Sequence, residues 1–139
     1  MFNRMVTQAD KRCLRQVQSF VQEQLEGIPC SEKVKMAIDI AVEEIFVNIA
    51  LYAYPQHIGE AVIETETAED GSFLVITFRD EGLPYDPLNK EEPDVTLPIG
   101  ARPIGGLGIY LVKRLMDKVS YRYEDGQNVL CVQKYLKKN

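Results

Sequence analysis

The pattern of apolar and polar residues predicts a strand and then a helix at the start of the chain. Residues 2–6 are rich in strand-forming side chains and predict a short strand. Thr7, with Asp10 three residues later, resembles a capping box. A helix is therefore expected to begin there and to continue to about Leu25.

A second, longer helix is predicted between Ser31, a good N-cap residue, and the residue before Pro55. Its apolar residues recur at helical spacing and define a stripe centred on Ile45. The stripe consists of Val34, Ile38, Ala41, Ile45, Ile49 and Tyr52. A third, amphipathic helix is expected at 109–117, directly after a glycine-rich run.

Four stretches of β-branched and aromatic residues predict two hairpins. The stretches are 60–67, 73–79, 118–124 and 128–135. Asp125-Gly126 joins the last two and is a strong hairpin signal. The order of elements is thus β-α-α-β-β-loop-α-β-β, which predicts an α/β (α+β) two-layer sandwich. Its mixed, mostly antiparallel sheet is expected to be covered on one face by three main helices.

Composition and charge narrow the function classes. The 139 residues predict one domain, 1–139, and a net charge of -5 argues against nucleic acid as a partner. No apolar run is long enough to span a membrane, and no signal peptide is visible, so a cytoplasmic protein is expected. Three scattered cysteines and a single histidine, His57, exclude a zinc-binding spacing.

Two polar residues on the second helix are candidates for chemistry. At 100° per residue, Glu44 and Asn48 fall on the same flank of the apolar stripe, because they are four residues apart. Glu43 falls on the other side, where a solvated charge is expected. The pair is either the polar edge of an amphipathic helix or a general base beside an oxygen ligand for Mg2+. Apolar residues extend the flank of Glu44 and either pack under the sheet or form a homodimer interface; they are Ile40, Val47 and Leu51.

Two further motifs surround a long loop. Asp80, at the end of a predicted strand, and the nearby Gly82 form either an ordinary turn or an acceptor for an exocyclic amine. The run Gly105-Gly106-Leu107-Gly108 opens the third helix and is either a hinge or an anion site at a helix N-terminus. Between them, residues 81–103 contain five of the seven prolines, and a loop of that length is usually functional.

In this order, three segments resemble the N, G1 and G2 boxes of the GHKL superfamily, which has the Bergerat ATP-binding fold. The segments are AVEEIFVNIALYAYP, DEGLPYDP and PIGGLGIYLVKRLMD. The similarity covers about residues 34–136 and is greatest to the small standalone anti-sigma factor serine/threonine-protein kinases of bacteria. Pro84 is a departure, because it stands where the general G1 pattern has a second glycine.

The resemblance implies a role for each candidate residue. Glu44 is implied as the catalytic base, Asn48 as the Mg2+ ligand and residues 83–104 as a lid over ATP. The other implied nucleotide-binding positions are Asp80, Gly82, Gly105, Gly106, Leu107, Gly108 and Asn128. Asn128 stands near a position where relatives often use threonine to bind adenine through water.

The function implied by the resemblance is that of a Mg-ATP-dependent anti-sigma-type serine/threonine-protein kinase. Such a protein phosphorylates an anti-anti-sigma-type antagonist protein and, once freed, binds a sigma factor. Two alternatives remain open at this point. One is a non-catalytic, ATP-dependent protein-binding module of the same fold, and the other is a separate histidine-kinase-like catalytic domain.

Overall fold

The computed structural model describes residues 1–89 and 106–137. It has the predicted order of elements and the two-layer α+β architecture. The strands are β1 (Phe2–Gln8), β2 (Glu60–Thr67), β3 (Phe73–Asp80), β4 (Lys118–Glu124) and β5 (Gln127–Tyr135), and the helices are α1 (Leu14–Glu23), α2 (Glu32–Tyr52) and α3 (Gly106–Leu115). Single 3₁₀ turns occupy Lys11–Cys13 and Pro87–Asn89.

The five strands form one sheet in the order β1-β2-β3-β5-β4. All four pairings among the described strands are antiparallel, so the sheet is more uniform than the mixed one expected. In the β4–β5 turn, Asp125 and Gly126 both have positive φ (53° and 78°), which is the backbone conformation of a two-residue hairpin turn. This turn fixes the register that places Leu130 opposite Tyr121.

The core lies between the inner face of the sheet and the helices. Alternate residues of β2 and β3 point inward and are almost fully buried, among them Ile63 and Phe78. From α2, Ile38, Ile45 and Phe46 pack against them. None of the helices in the described ranges is long and apolar enough to cross a membrane.

The second helix follows its sequence pattern and the first does not. Ser31 caps α2 by accepting a hydrogen bond from the Val34 amide (3.1 Å), as predicted. The predicted helix start at Thr7 is wrong, because β1 continues to Gln8 and pairs with β2 along its whole length. Asp10 instead caps the 3₁₀ turn by accepting from the Arg12 amide (2.9 Å).

Candidate functional site

Helix α2 places the two predicted polar residues on the flank that faces the site. Glu43 is exposed and Glu44 is half-buried, as the helical spacing predicted. Burial raises the pKa of the Glu44 carboxyl, and repulsion from Glu43 raises it further. Asn48, one turn further along, is also half-buried.

The first turn of α3 lies directly against Glu44. A Cβ atom added to Gly108 would come within 2.5 Å of Glu44 Oε2 and 3.4 Å of its Cδ, so only glycine leaves room for the carboxylate in this position. Gly106 is the first residue of α3 and Leu107 the second. Gly105 and residues 90–104 of the predicted lid lie outside the described residues.

One cavity near this contact is lined by both Asn48 and Asp80. Most of its lining is apolar, and the polar groups are few, as in ordinary small-molecule sites. The apolar lining includes Ile45, Ile49, Phe78, Ile109 and Leu130, and the polar lining includes Asn48, Asp80, Tyr121 and Asn128. The predicted residues from α2, β3 and β5 therefore share one site.

Asp80 ends β3 with a buried carboxylate that is 6% exposed. Its Oδ1 accepts hydrogen bonds from Asn128 Nδ2 and from the Gly82 amide, both at 2.9 Å. Burial raises the pKa of Asp80, although these two hydrogen bonds oppose the shift. Oδ2 receives no hydrogen bond from the described part of the chain and remains an available acceptor.

Asn128 contacts protein groups on every side. Its amide nitrogen donates to Asp80 Oδ1 and to the Leu83 carbonyl (2.9 Å each), and its oxygen accepts from the Tyr85 amide (3.1 Å) and the Tyr121 hydroxyl. The sequence did not single out Tyr121. The hairpin register could have found it, because Tyr121 and Asn128 are diagonal neighbours across the β4–β5 pair.

The end of α2 is tied to the segment after β3. A Cβ atom on Gly82 would overlap backbone atoms of Ala53, and the next amide, that of Leu83, donates to the Ala53 carbonyl (2.9 Å). The Tyr54 hydroxyl donates to the Glu60 carbonyl (2.6 Å) and accepts from the Glu81 amide (2.8 Å). Gly82 thus permits close backbone contact, and Tyr54 is a residue that the sequence pattern did not reveal.

The side chains at the cavity are better suited to a metal ion that also binds substrate phosphates than to a metal ion held by protein ligands alone. Across the described residues, no three His, Cys, Asp or Glu side chains cluster as metal ligands. Asn48, however, lines the cavity, and no hydrogen bond links its carboxamide to another described residue. A single free amide oxygen suits Mg2+, which usually takes only one or two protein ligands when it binds with substrate phosphates.

The sequence is similar to those of known proteins. A family model for the histidine kinase-like ATPase domain matches residues 7–134. Two curated relatives, both named serine-protein kinase RsbW, come from Bacillus thuringiensis subsp. konkukian and Bacillus cereus strain AH187 and are 33% and 35% identical over 103 residues. The aligned region covers 71% of this chain and 62% of either relative, so the chain spans less than two thirds of their length.

A solved structure has a similar fold. The crystal structure of the RsbU and RsbW domains of Rv1364c from Mycobacterium tuberculosis aligns with all of this chain and 33% of its own, with a TM-score of 0.70 and 16% identity. At that identity the likeness concerns the fold. The match to the family model over residues 7–134, nearly the whole sequence, shows that the chain belongs to the histidine kinase-like ATPase domain family.

Proposed function

We propose that this protein binds Mg-ATP and transfers the γ-phosphoryl group to a serine or threonine of a partner protein. The observation that carries the proposal is the half-buried Glu44, held against the first turn of α3 and one helical turn from Asn48. A carboxylate with a raised pKa is suited to general-base chemistry. The serine-protein kinases that this chain is similar to support the same reaction class.

The cavity supplies the base-binding end of the site. Asp80 is a buried acceptor at the edge of an apolar cavity, and its free Oδ2 is suited to the exocyclic amine of adenine. The apolar walls, including Ile49 and Ile109, would contact the flat faces of the base.

The other end of the site faces the phosphates. Amides at the N-terminus of α3 are free of helical hydrogen bonds and carry the positive end of the helix dipole, so they favour an anion. Asn48 would hold Mg2+ through its amide oxygen, and the bound ion would neutralise phosphate charge. Glu44 would accept the proton of the attacking hydroxyl, which makes that oxygen a better nucleophile.

A change of partner would follow from the phosphorylation. The acceptor gains a charge of about -2, and this chain carries a net charge of -5, so repulsion weakens the complex. We therefore propose an anti-anti-sigma-type antagonist as the phosphoacceptor and a sigma factor as the second partner. The cytoplasm is the proposed site of action, because ATP is available there and the cysteines Cys13, Cys30 and Cys131, which form no disulfide with one another, would stay reduced.

The test is phosphoryl transfer from γ-labelled ATP with Mg2+ in a lysate of the source organism. Glu44→Gln should reduce an acid-stable label on a small protein by about 10²- to 10⁴-fold while ATP binding persists. The neighbouring Glu43→Gln is the matched control and should retain labelling, because Glu43 is exposed and lies away from the site.

The remaining outcomes identify the two alternatives. Clear Mg-ATP binding with no label, in the wild type and in both variants, would favour a non-catalytic protein-binding module. A label that acid removes would favour a histidine-kinase-like catalytic domain acting on a separate phosphoacceptor. Equal labelling by wild type and Glu44→Gln would contradict the role given to Glu44.

A further inference from the structure

Asn128 joins three separate parts of the site. It lies near the start of β5, contacts Asp80 at the end of β3, and accepts from Tyr121 on β4. It also holds the backbone on both sides of Pro84, through the Leu83 carbonyl and the Tyr85 amide. Asn128 is only 7% exposed, so these contacts are largely shielded from water.

The hydrogen-bonding capacity of Asn128 is fully used by the protein. An asparagine side chain has two donor hydrogens and two acceptor lone pairs. The amide nitrogen donates to Asp80 Oδ1 and to the Leu83 carbonyl, at 2.9 Å each. The amide oxygen accepts from the Tyr85 amide and the Tyr121 hydroxyl. Asn128 therefore has no polar group left for a nucleotide, directly or through water.

The surroundings also determine which way the amide points. Its nitrogen faces two acceptors, Asp80 Oδ1 and the Leu83 carbonyl, while its oxygen faces the amide and hydroxyl donors. In the reverse orientation the amide oxygen would meet the Asp80 carboxylate and repel it. The Tyr121 hydroxyl is the one side-chain donor among the described residues that holds the amide oxygen in place.

We propose that Tyr121 is a positioning residue for base recognition, acting through Asn128 to hold Asp80 so that Oδ2 selects a purine with an amine at C6. The proposal rests on the proposed function, since it assumes that the cavity takes the base of ATP. Asn128 and the Gly82 amide both donate to Oδ1 of Asp80, so Oδ2 is available to the ligand. A 6-oxo purine presents an acceptor there and cannot donate to Oδ2.

The experiment compares the dissociation constants of ATP and ITP, which differ in the amine and oxo groups at C6. Tyr121→Phe removes only the hydroxyl and should reduce the preference for ATP by about fivefold, the equivalent of one hydrogen bond. In steady-state assays it should raise KM for ATP and leave kcat unchanged. A purely structural loss would weaken both nucleotides equally.

Tyr123→Phe is the matched control. Tyr123 lies two residues along β4, directly opposite Asn128 in the register, and is 48% exposed. Its hydroxyl makes no hydrogen bond to any residue in the described ranges, so its loss should leave the ATP preference as in the wild type.

A double-mutant cycle tests the route through Asn128. Asn128→Ala should lose at least as much preference as Tyr121→Phe, and the double variant should lose no more than Asn128→Ala alone. The inference would be overturned if the two single variants' losses of ATP preference added in the double variant. It would also be overturned if either single variant kept the wild-type preference. A wild type that binds ITP as tightly as ATP would also overturn the inference, because Oδ2 would then select no amine at C6. A wild type that fails to bind ATP would instead refute the proposed function.

Discussion

The contact between Gly108 and Glu44 provides a sharp test of the site, because one methyl group can displace the carboxylate. In Gly108→Ala the new Cβ would lie 2.5 Å from Glu44 Oε2. Ordinary contact is about 3.5 Å, so the oxygen must move by about 1 Å. The three atoms nearest to the new methyl group all belong to the Glu44 side chain, which can rotate away.

Stability and activity should therefore change in opposite directions. Alanine in place of glycine within α3 stabilises a helix by up to about 1 kcal/mol, so the unfolding midpoint should rise or stay the same. A displacement of about 1 Å in Glu44, the proposed general base, should reduce kcat by about 100-fold. The assay measures single-turnover phosphoryl transfer from γ-labelled ATP, alongside urea denaturation.

Two results would refute the reasoning. If Gly108→Ala weakens ATP binding as strongly as it slows transfer, the methyl group obstructs phosphate and does not act through Glu44. If Gly108→Ala slows transfer further in a Glu44→Gln background, the two positions are independent. Our expectation is unchanged ATP affinity and no additional loss in the double variant.

Two further predictions concern the last residue of β3 and the turn that follows it. Burial raises the pKa of Asp80 above its ordinary 3.8, so the native carboxyl binds protons more tightly than the unfolded one and stability falls as pH rises through that window. Asp80→Asn should thus be more stable than wild type at neutral pH, and this difference should disappear below pH 3.8. The variant should also lose ATP binding. Lower stability than wild type in thermal melts at neutral pH would contradict the prediction. Gly82→Ala should lose about 1–3 kcal/mol in urea denaturation, because its Cβ would overlap the backbone of Ala53, and an unchanged midpoint would contradict the contact.

The parts of the fold that the sequence predicted are those determined by local chemistry. Ser31 caps α2 through an amide three residues away, and Asp125-Gly126 sets its hairpin with its own backbone angles. The start of the first helix was mispredicted because a distant partner decides it. Seven cross-strand pairs with β2 keep Thr7 in β1, and no pattern in the residues next to Thr7 reports them.

The residues of the site show the same difference between features set by local sequence and features set by distant partners. Helical periodicity alone separated Glu44 from Glu43, because burial follows the angle around α2. Tyr54 was not predictable, since its hydroxyl bridges Glu60 and Glu81, and the second of these is 27 residues away. Tyr121 is an intermediate case. The turn type fixes its register relative to Asn128, but it does not determine which hydroxyl donates to the Asn128 side chain.

Helix α2 connects the two ends of the site mechanically. It carries Glu44 and Asn48 in its second half, and Ala53, its C-cap residue, holds Leu83 by a 2.9 Å hydrogen bond. The segment fixed in this way runs from Asp80 to Leu83, the first residue of the predicted lid. In the proposed mechanism, a displacement of the C-terminal end of α2 would therefore shift Asp80 and Glu44 together. The close contacts at two glycines are consistent with this, because Gly108 lies against Glu44 of α2 and Gly82 against its C-cap residue Ala53.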